Sequence, residues 1–147
     1  MKNEPFVIER ILDAPIERVW RALTDNNELQ QWYFKFPEFK AAPGFEFQFL
    51  GGTETKQYLH LCKVTEVVPG KKLTYSWRYE GYEGNSFVTF ELFPEGKKTK
   101  IKLTHAGLET FPAANPDFDK KNFAMGWEQI IGTILPEYLK KENVGKN

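Results

Sequence analysis

Few side chains in this sequence could carry out acid–base, nucleophilic or metal chemistry, and their phase along the strands selects the candidates. His60 shares a period-two phase with Tyr58, Cys62 and Val64; His105 shares one with Ile101 and Leu103. If those phases face a covered interior, both imidazoles look inward, where a group titrating near neutrality can act as acid or base. The alternative is a core or rim histidine that needs only a hydrogen-bond partner. Two histidines on separate strands, with no Asp or Glu at partner spacing, do not make a metal site. No metal or other cofactor is expected. Cys62 reads as a small buried hydrophobe, Ser76 and Ser86 lack a nucleophile elbow, and Glu91, between Phe90 and Leu92, reads as facing water. No residue is therefore assigned a catalytic role.

The aromatic residues are the other informative set. Thirteen Phe, six Tyr and four Trp must pack a core, line a cavity or form an interface. Phe45, Phe47 and Phe49 alternate along one stretch, and Leu73, Tyr75, Trp77 and Tyr79 along another, giving strands with one apolar face. Burying each such side chain contributes about 1.5–3 kcal/mol, so a packed core is one reading. A ligand-lined cavity is the other, because the polar tips of Tyr and Trp need partners when buried. On that reading the binding residues are Trp32, Tyr33, Phe47, Tyr58, His60, Tyr75, Trp77 and His105. Phe123, Trp127, Ile130 and Ile134 form the facing helical wall. Trp32, Tyr33 and Phe34 are consecutive and cannot share one helix face. The segment from Trp32 to Phe39 is thus a lid, a dimer contact or a wrap around a sheet edge.

These residues need elements to position them. Phe6 to Leu12 reads as a strand, and Pro15 at the first helical position opens a helix with Ile16, Val19, Trp20 and Leu23 inward. Asn26 or Asn27 can cap a short second helix that turns Leu29 and Trp32 inward. Strands follow over Phe45–Leu50, Tyr58–Val68, Leu73–Tyr79, Ser86–Phe93 and Thr99–His105. They are separated by Gly51-Gly52, Pro69-Gly70, Gly81 with Gly84, and Pro94-Glu95-Gly96. Short turns between consecutive strands imply an antiparallel meander with one solvated face. Leu108 to Asp119 reads as a long loop. From Phe123, apolar residues recur at Trp127, Ile130, Ile131, Ile134 and Tyr138, the stripe of a long helix running to about Lys141, with 142–147 fraying. Pro136 removes the bond to the Gly132 carbonyl and is expected to kink that helix; a Pro136→Ala change is expected to straighten it.

Composition bounds the function. The 147 residues suit one domain, 1–147, and 20 basic residues cancel 20 acidic ones. No basic stripe marks a nucleic-acid binder. No apolar run approaches the ~20 residues of a membrane span. A single cysteine and the absence of a leader-like apolar segment fit the cytoplasm.

The segment Asp13-Ala14-Pro15-Ile16-Glu17-Arg18-Val19-Trp20-Arg21-Ala22-Leu23-Thr24-Asp25 resembles the opening motif of the START-like, helix-grip (SRPBCC, Bet v 1-like) superfamily. It is more narrowly similar to proteins related to the C-terminal domain of the activator of Hsp90 ATPase. Trp32-Tyr33, the run from Val64 to Trp77, Val88 to Leu92, Leu103 to Leu108, and Gly126-Trp127 with Ile131 and Tyr138-Leu139 match that family in order. The resemblance implies an α+β fold. A curved antiparallel sheet of about six strands would carry two short helices and a long C-terminal helix packed across it. It also implies a cavity between helix and sheet. Members bind lipids, sterols, hormones or polyketides, and a minority are cyclases or other enzymes. The expectation is a monomer or homodimer that binds a small apolar, lipid-like or aromatic ligand. The alternatives are a cyclase- or hydrolase-type enzyme using a cavity histidine, and a stress-linked interaction module. The eukaryotic activator carries a further chaperone-binding domain with no counterpart in these residues, so Hsp90 activation is not expected.

Overall fold

A computed structural model describes residues 4–34, 36–52 and 56–145, with side chains to residue 141. Six strands form one antiparallel sheet: β1 (Phe6–Leu12), β2 (Glu46–Gly52), β3 (Gln57–Val68), β4 (Lys72–Tyr79), β5 (Ser86–Glu95) and β6 (Lys98–Ala106). Their spatial order is β1-β6-β5-β4-β3-β2, so β2 to β6 is a meander and β1 returns to lie beside β6. Two short helices, α1 (Ile16–Thr24) and α2 (Asn26–Trp32), follow β1. The C-terminal helix comprises α3 (Lys120–Gln129), a π-helical turn (Ile130–Ile134) and α4 (Leu135–Gly145). This is the α+β helix-grip arrangement expected from the sequence.

Period-two patterning sets the inner face. Tyr58, His60, Cys62 and Val64 on β3 are all buried, as are Leu73, Tyr75, Trp77 and Tyr79 on β4. Register places His60 opposite both Phe49 on β2 and Tyr79 on β4, so these three rings meet on one face. Thr74, on the opposite phase of β4, is also buried, and its hydroxyl lies 3.1 Å from that of Thr89 on the neighbouring strand. Glu91 is half-buried.

The helices depart from expectation in two places. Pro15 precedes α1, and its carbonyl takes the Val19 N–H at 3.1 Å. The cap of α2 is Asp25 rather than either asparagine: its Oδ1 accepts the Asn27 N–H at 2.9 Å, satisfying one of the donors every helix start leaves open. In the long helix, the fully buried residues are Trp127, Ile131, Leu135 and Leu139, while Phe123, Ile130, Ile134 and Tyr138 flank them. A strict period of four drifts by about 40° per step on an α-helix. The Leu135 N–H bonds to the Ile130 carbonyl five residues back, and this looser winding absorbs the drift. The helical backbone continues past Lys141 to Gly145. The fraying expected at 146–147 lies outside the described residues, as does the connection at 53–55 beyond the Gly51-Gly52 pair that ends β2.

The segment after α2 wraps the sheet edge, one of the three arrangements left open by its sequence. Phe34 stacks on Phe49 at 4.4 Å, Phe36 meets Phe47 at 4.7 Å, and Phe39 meets Phe47 at 5.2 Å. The loop before α3 contains two 3₁₀ turns, Leu108–Thr110 and Pro116–Phe118. It docks closely where Gly84 adopts φ +105°: a Cβ there would lie 2.6 Å from the Thr110 carbonyl oxygen.

Candidate functional site

The middle of the helix–sheet interface is occupied by a hydrogen-bonded histidine. Trp127 Nε1–H donates to His105 Nδ1 at 3.0 Å. Ser86 Oγ lies 2.8 Å from His105 Nε2 and donates its single proton to the Trp77 carbonyl at 2.7 Å. A carbonyl only accepts, so the bond between the ring and Ser86 must be Nε2–H donating to Oγ. Both ring nitrogens are therefore committed and the neutral Nε2–H tautomer is selected. Burial pushes the His105 pKa down to about 3. Such a ring has neither a free lone pair nor a proton to give, so His105 is a structural partner of Trp127 and Ser86.

Rings pack around it. Trp77 contacts His105 and Trp127, each at 5.6 Å between centroids, and Phe123 meets His105 at 5.3 Å. Deeper on the sheet, the Tyr33 and Tyr75 hydroxyls pair at 2.8 Å, and burial holds both phenols well above their ordinary pKa. Trp32 turns the other way and donates Nε1–H to the Ala22 carbonyl at 2.9 Å, tying α2 to α1. Phe47 lies among Phe36, Phe39 and Tyr75, while Ile130 and Ile134 flank the buried helical row. These candidates thus distribute through the core and do not converge on one space.

Tyr58 and His60 do converge. At the β2–β3 end of the interface they line a recess of about 270 Å³ with Gly51, Gly52, Tyr79, Asp117, Phe118 and Asn122. Gly51 continues the inward phase of Phe47 and Phe49 but carries no side chain, and a Cβ there would lie 3.1 Å from His60 Cε1. The imidazole thus packs closely on Gly51 and takes the space a side chain there would need. Tyr58 OH donates to Asp117 Oδ2 at 2.5 Å, which brings the Pro116–Phe118 turn over the recess. Asn115 Oδ1 accepts the Asp117 N–H at 2.9 Å, and Asn122 Nδ2 donates to the Pro116 carbonyl at 2.7 Å, so the turn is held from both sides. Tyr79 closes the inner wall: its oxygen accepts Trp77 Nε1–H at 2.9 Å, and its ring stacks on Phe118 at 4.7 Å.

His60 is bonded differently from His105. Its Nδ1 lies 3.0 Å from the Tyr58 carbonyl, which only accepts, so Nδ1 carries a proton. Burial lowers its pKa to about 4 despite opposing hydrogen bonds to the Tyr58 and Phe49 carbonyls. At neutral pH the ring is uncharged.

Sequence reading thus named two residues of the recess, Tyr58 and His60, and missed Gly51, Gly52, Tyr79, Asp117, Phe118 and Asn122 as its walls. Gly51 was detectable, because a glycine in phase with a row of phenylalanines marks a place where another group packs closely. Asp117 was not, since nothing local ties a loop residue to a tyrosine 59 positions away.

Among the described residues no helix is long and apolar enough to cross a membrane, and no group of His, Cys, Asp and Glu is placed to hold a metal ion. The sequence profile of the family described as "Activator of Hsp90 ATPase homolog 1-like protein" matches residues 13–140. Among solved structures, the chain is similar to protein MLL2253 from Mesorhizobium loti at 29% identity and a TM-score of 0.75, covering 93% of this chain and 97% of that one. It is similar to protein CV1439 from Chromobacterium violaceum at 27% identity and a TM-score of 0.73, covering 91% and 95%. CalU16 from Micromonospora echinospora is similar at 25% identity and a TM-score of 0.69, covering 92% and 73%. No curated protein matches the chain.

Proposed function

This chain belongs to the activator of Hsp90 ATPase homolog 1-like family, and on that footing we propose that it is a non-catalytic binding protein for a small ligand with an aromatic body. The observation that carries this is the recess beside His60, lined by Tyr58, Tyr79, Phe118 and Asp117. Sites for small molecules combine apolar walls with a few placed polar groups. Here Tyr58, Tyr79 and Phe118 supply walls, and His60 and Asp117 supply the polar groups. A flat ring suits the space better than a long acyl chain, because the interface beyond Tyr79 is filled by Trp77, His105 and Trp127 in mutual contact. The non-catalytic reading follows from His105, whose ring is fully bonded, and from His60, which lacks the pKa of a base poised near neutrality. The reading places the protein in the cytoplasm as a monomer or homodimer and gives it no nucleic-acid partner, given its balanced charge.

Gly51→Val tests it. The φ of Gly51 is not in the positive range, so the strand backbone accepts a side chain, whose Cβ, 3.1 Å from His60 Cε1, pushes the imidazole into the recess. Native mass spectrometry of freshly purified protein is expected to show a retained small molecule that Gly51→Val loses, with the folded charge-state distribution unchanged. Retention by both proteins would place the ligand elsewhere and overturn the reading.

A further inference from the structure

We propose that the ligand held in the His60 recess is an organic cation: an ammonium group on an aromatic or alkyl body. This rests on the small-molecule reading above and deepens it to a chemical class.

The walls are complementary to positive charge. Among the described residues lining the recess, one carries a formal charge, the Asp117 carboxylate. Its Oδ2 accepts from Tyr58, and its Oδ1 has no partner among the described residues, so one oxygen remains to accept from a ligand. His60 is uncharged at pH 7 and supplies no cation to meet an acidic ligand. A carboxylate or phosphate entering here would face Asp117 directly, while the nearest cation among the described residues, Lys56, stands outside the recess against the Tyr58 and Tyr82 rings.

The aromatic walls point the same way. Tyr58, Tyr79 and Phe118 meet one another at 5.7, 5.2 and 4.7 Å between centroids. Ring faces carry the negative part of the quadrupole, and a face left open to the recess attracts an ammonium group. The outside of this same corner already draws one: Lys56 Nζ stands 5.4 Å from the Tyr58 ring centroid and 5.9 Å from that of Tyr82. Lys56 is exposed and does not line the recess, so it does not occupy the space a ligand would take.

Three probes that share a body and differ in charge test the proposal: phenethylamine, 2-phenylethanol and 3-phenylpropionate. Each is titrated into the wild-type protein at pH 7, and binding is read from NMR shifts of His60 and Asn122. The amine is expected to bind at least about tenfold more tightly than the alcohol, with the carboxylate weakest. Raising salt from about 50 to about 500 mM should weaken the amine alone. Asp117→Asn keeps an acceptor for Tyr58 and should reduce the amine to the affinity of the alcohol. An alcohol or carboxylate that shifts the recess residues as strongly as the amine overturns the cation and leaves a ligand site standing. If no probe shifts them and Gly51→Val behaves as wild type, both readings fall.

Discussion

Trp127 reaches from the long helix to the sheet and places its Nε1–H 3.0 Å from Nδ1 of His105, the polar link at the centre of an otherwise apolar interface. His105 passes the bond on to Ser86, and both atoms of the imidazole that can bond are used. Replacing His105 with Phe keeps a ring there but strands the buried indole N–H. That orphan costs about 1–3 kcal/mol, to be read as a lower urea midpoint. Adding Trp127→Phe removes the orphan, so the double variant should lose less than the sum of the two single variants. An unchanged midpoint in His105→Phe would show that the link contributes nothing to stability.

Both histidines make the fold sensitive to acid. Their folded pKa values, about 4 for His60 and about 3 for His105, lie below the unfolded value near 6.5. Over that window the unfolded chain binds protons that the folded chain refuses. The associated stability is therefore complete above pH 6.5 and falls as the pH drops toward 4 and then 3. Urea midpoints measured from pH 7 to pH 4 should decline steadily, and His105→Phe should decline less steeply. A flat profile between pH 6.5 and 4.5 would contradict neutral burial of both rings.

Those inward histidines were legible in the sequence because strand phase is local: His60 follows Tyr58 by two residues, and His105 follows Leu103. The recess was less legible for an equally physical reason. Its walls come from β2, β3, β4, the Pro116–Phe118 turn and α3, and which loop residue reaches Tyr58 depends on how that turn docks. The helical stripe departs from its sequence pattern beyond Ile131 because the winding is not uniform. The π-helical turn moves the buried face onto Leu135 and Leu139, a shift that a period of 3.6 does not anticipate.

That turn has two causes, and Pro136→Ala separates them. Pro136 has no N–H for the Gly132 carbonyl, and an alanine would restore one bond worth about 1 kcal/mol. Closing the π-turn, however, would advance everything after it by one residue, about 100° of rotation, and carry Leu135 and Leu139 off the core. Each is at most 1% exposed, and removing each costs about 1.5–3 kcal/mol. Packing outweighs the single bond, so the crystal structure of Pro136→Ala should retain the bond from the Leu135 N–H to the Ile130 carbonyl. A continuous ladder of four-residue bonds through 130–139 would show that proline alone imposes the turn.

Away from the recess, Glu28 joins three helices. Its Oε1 accepts from Arg18 Nη1 at 2.7 Å and from the Tyr138 hydroxyl at 2.8 Å, and its Oε2 accepts from Arg21 Nε at 2.7 Å. Burial alone would raise the Glu28 carboxyl, but the bonds from Tyr138, Arg21 and Arg18 outweigh it and hold it below the usual range. The two arginines differ in surroundings: the Arg18 side chain is 7% exposed and that of Arg21 47%. Glu28→Gln removes the carboxylate charge that the buried Arg18 guanidinium shares with Arg21 and Tyr138 and should cost about 3 kcal/mol. Arg21→Ala breaks an equally short bond, yet water screens it, and the cost should stay below about 1 kcal/mol. Urea unfolding of both variants distinguishes burial from bond length as the source of the stabilisation. Equal losses would mean that geometry alone decides, and that the aligned packing of α1, α2 and α4 around Arg18 does not depend on neutralising a buried charge.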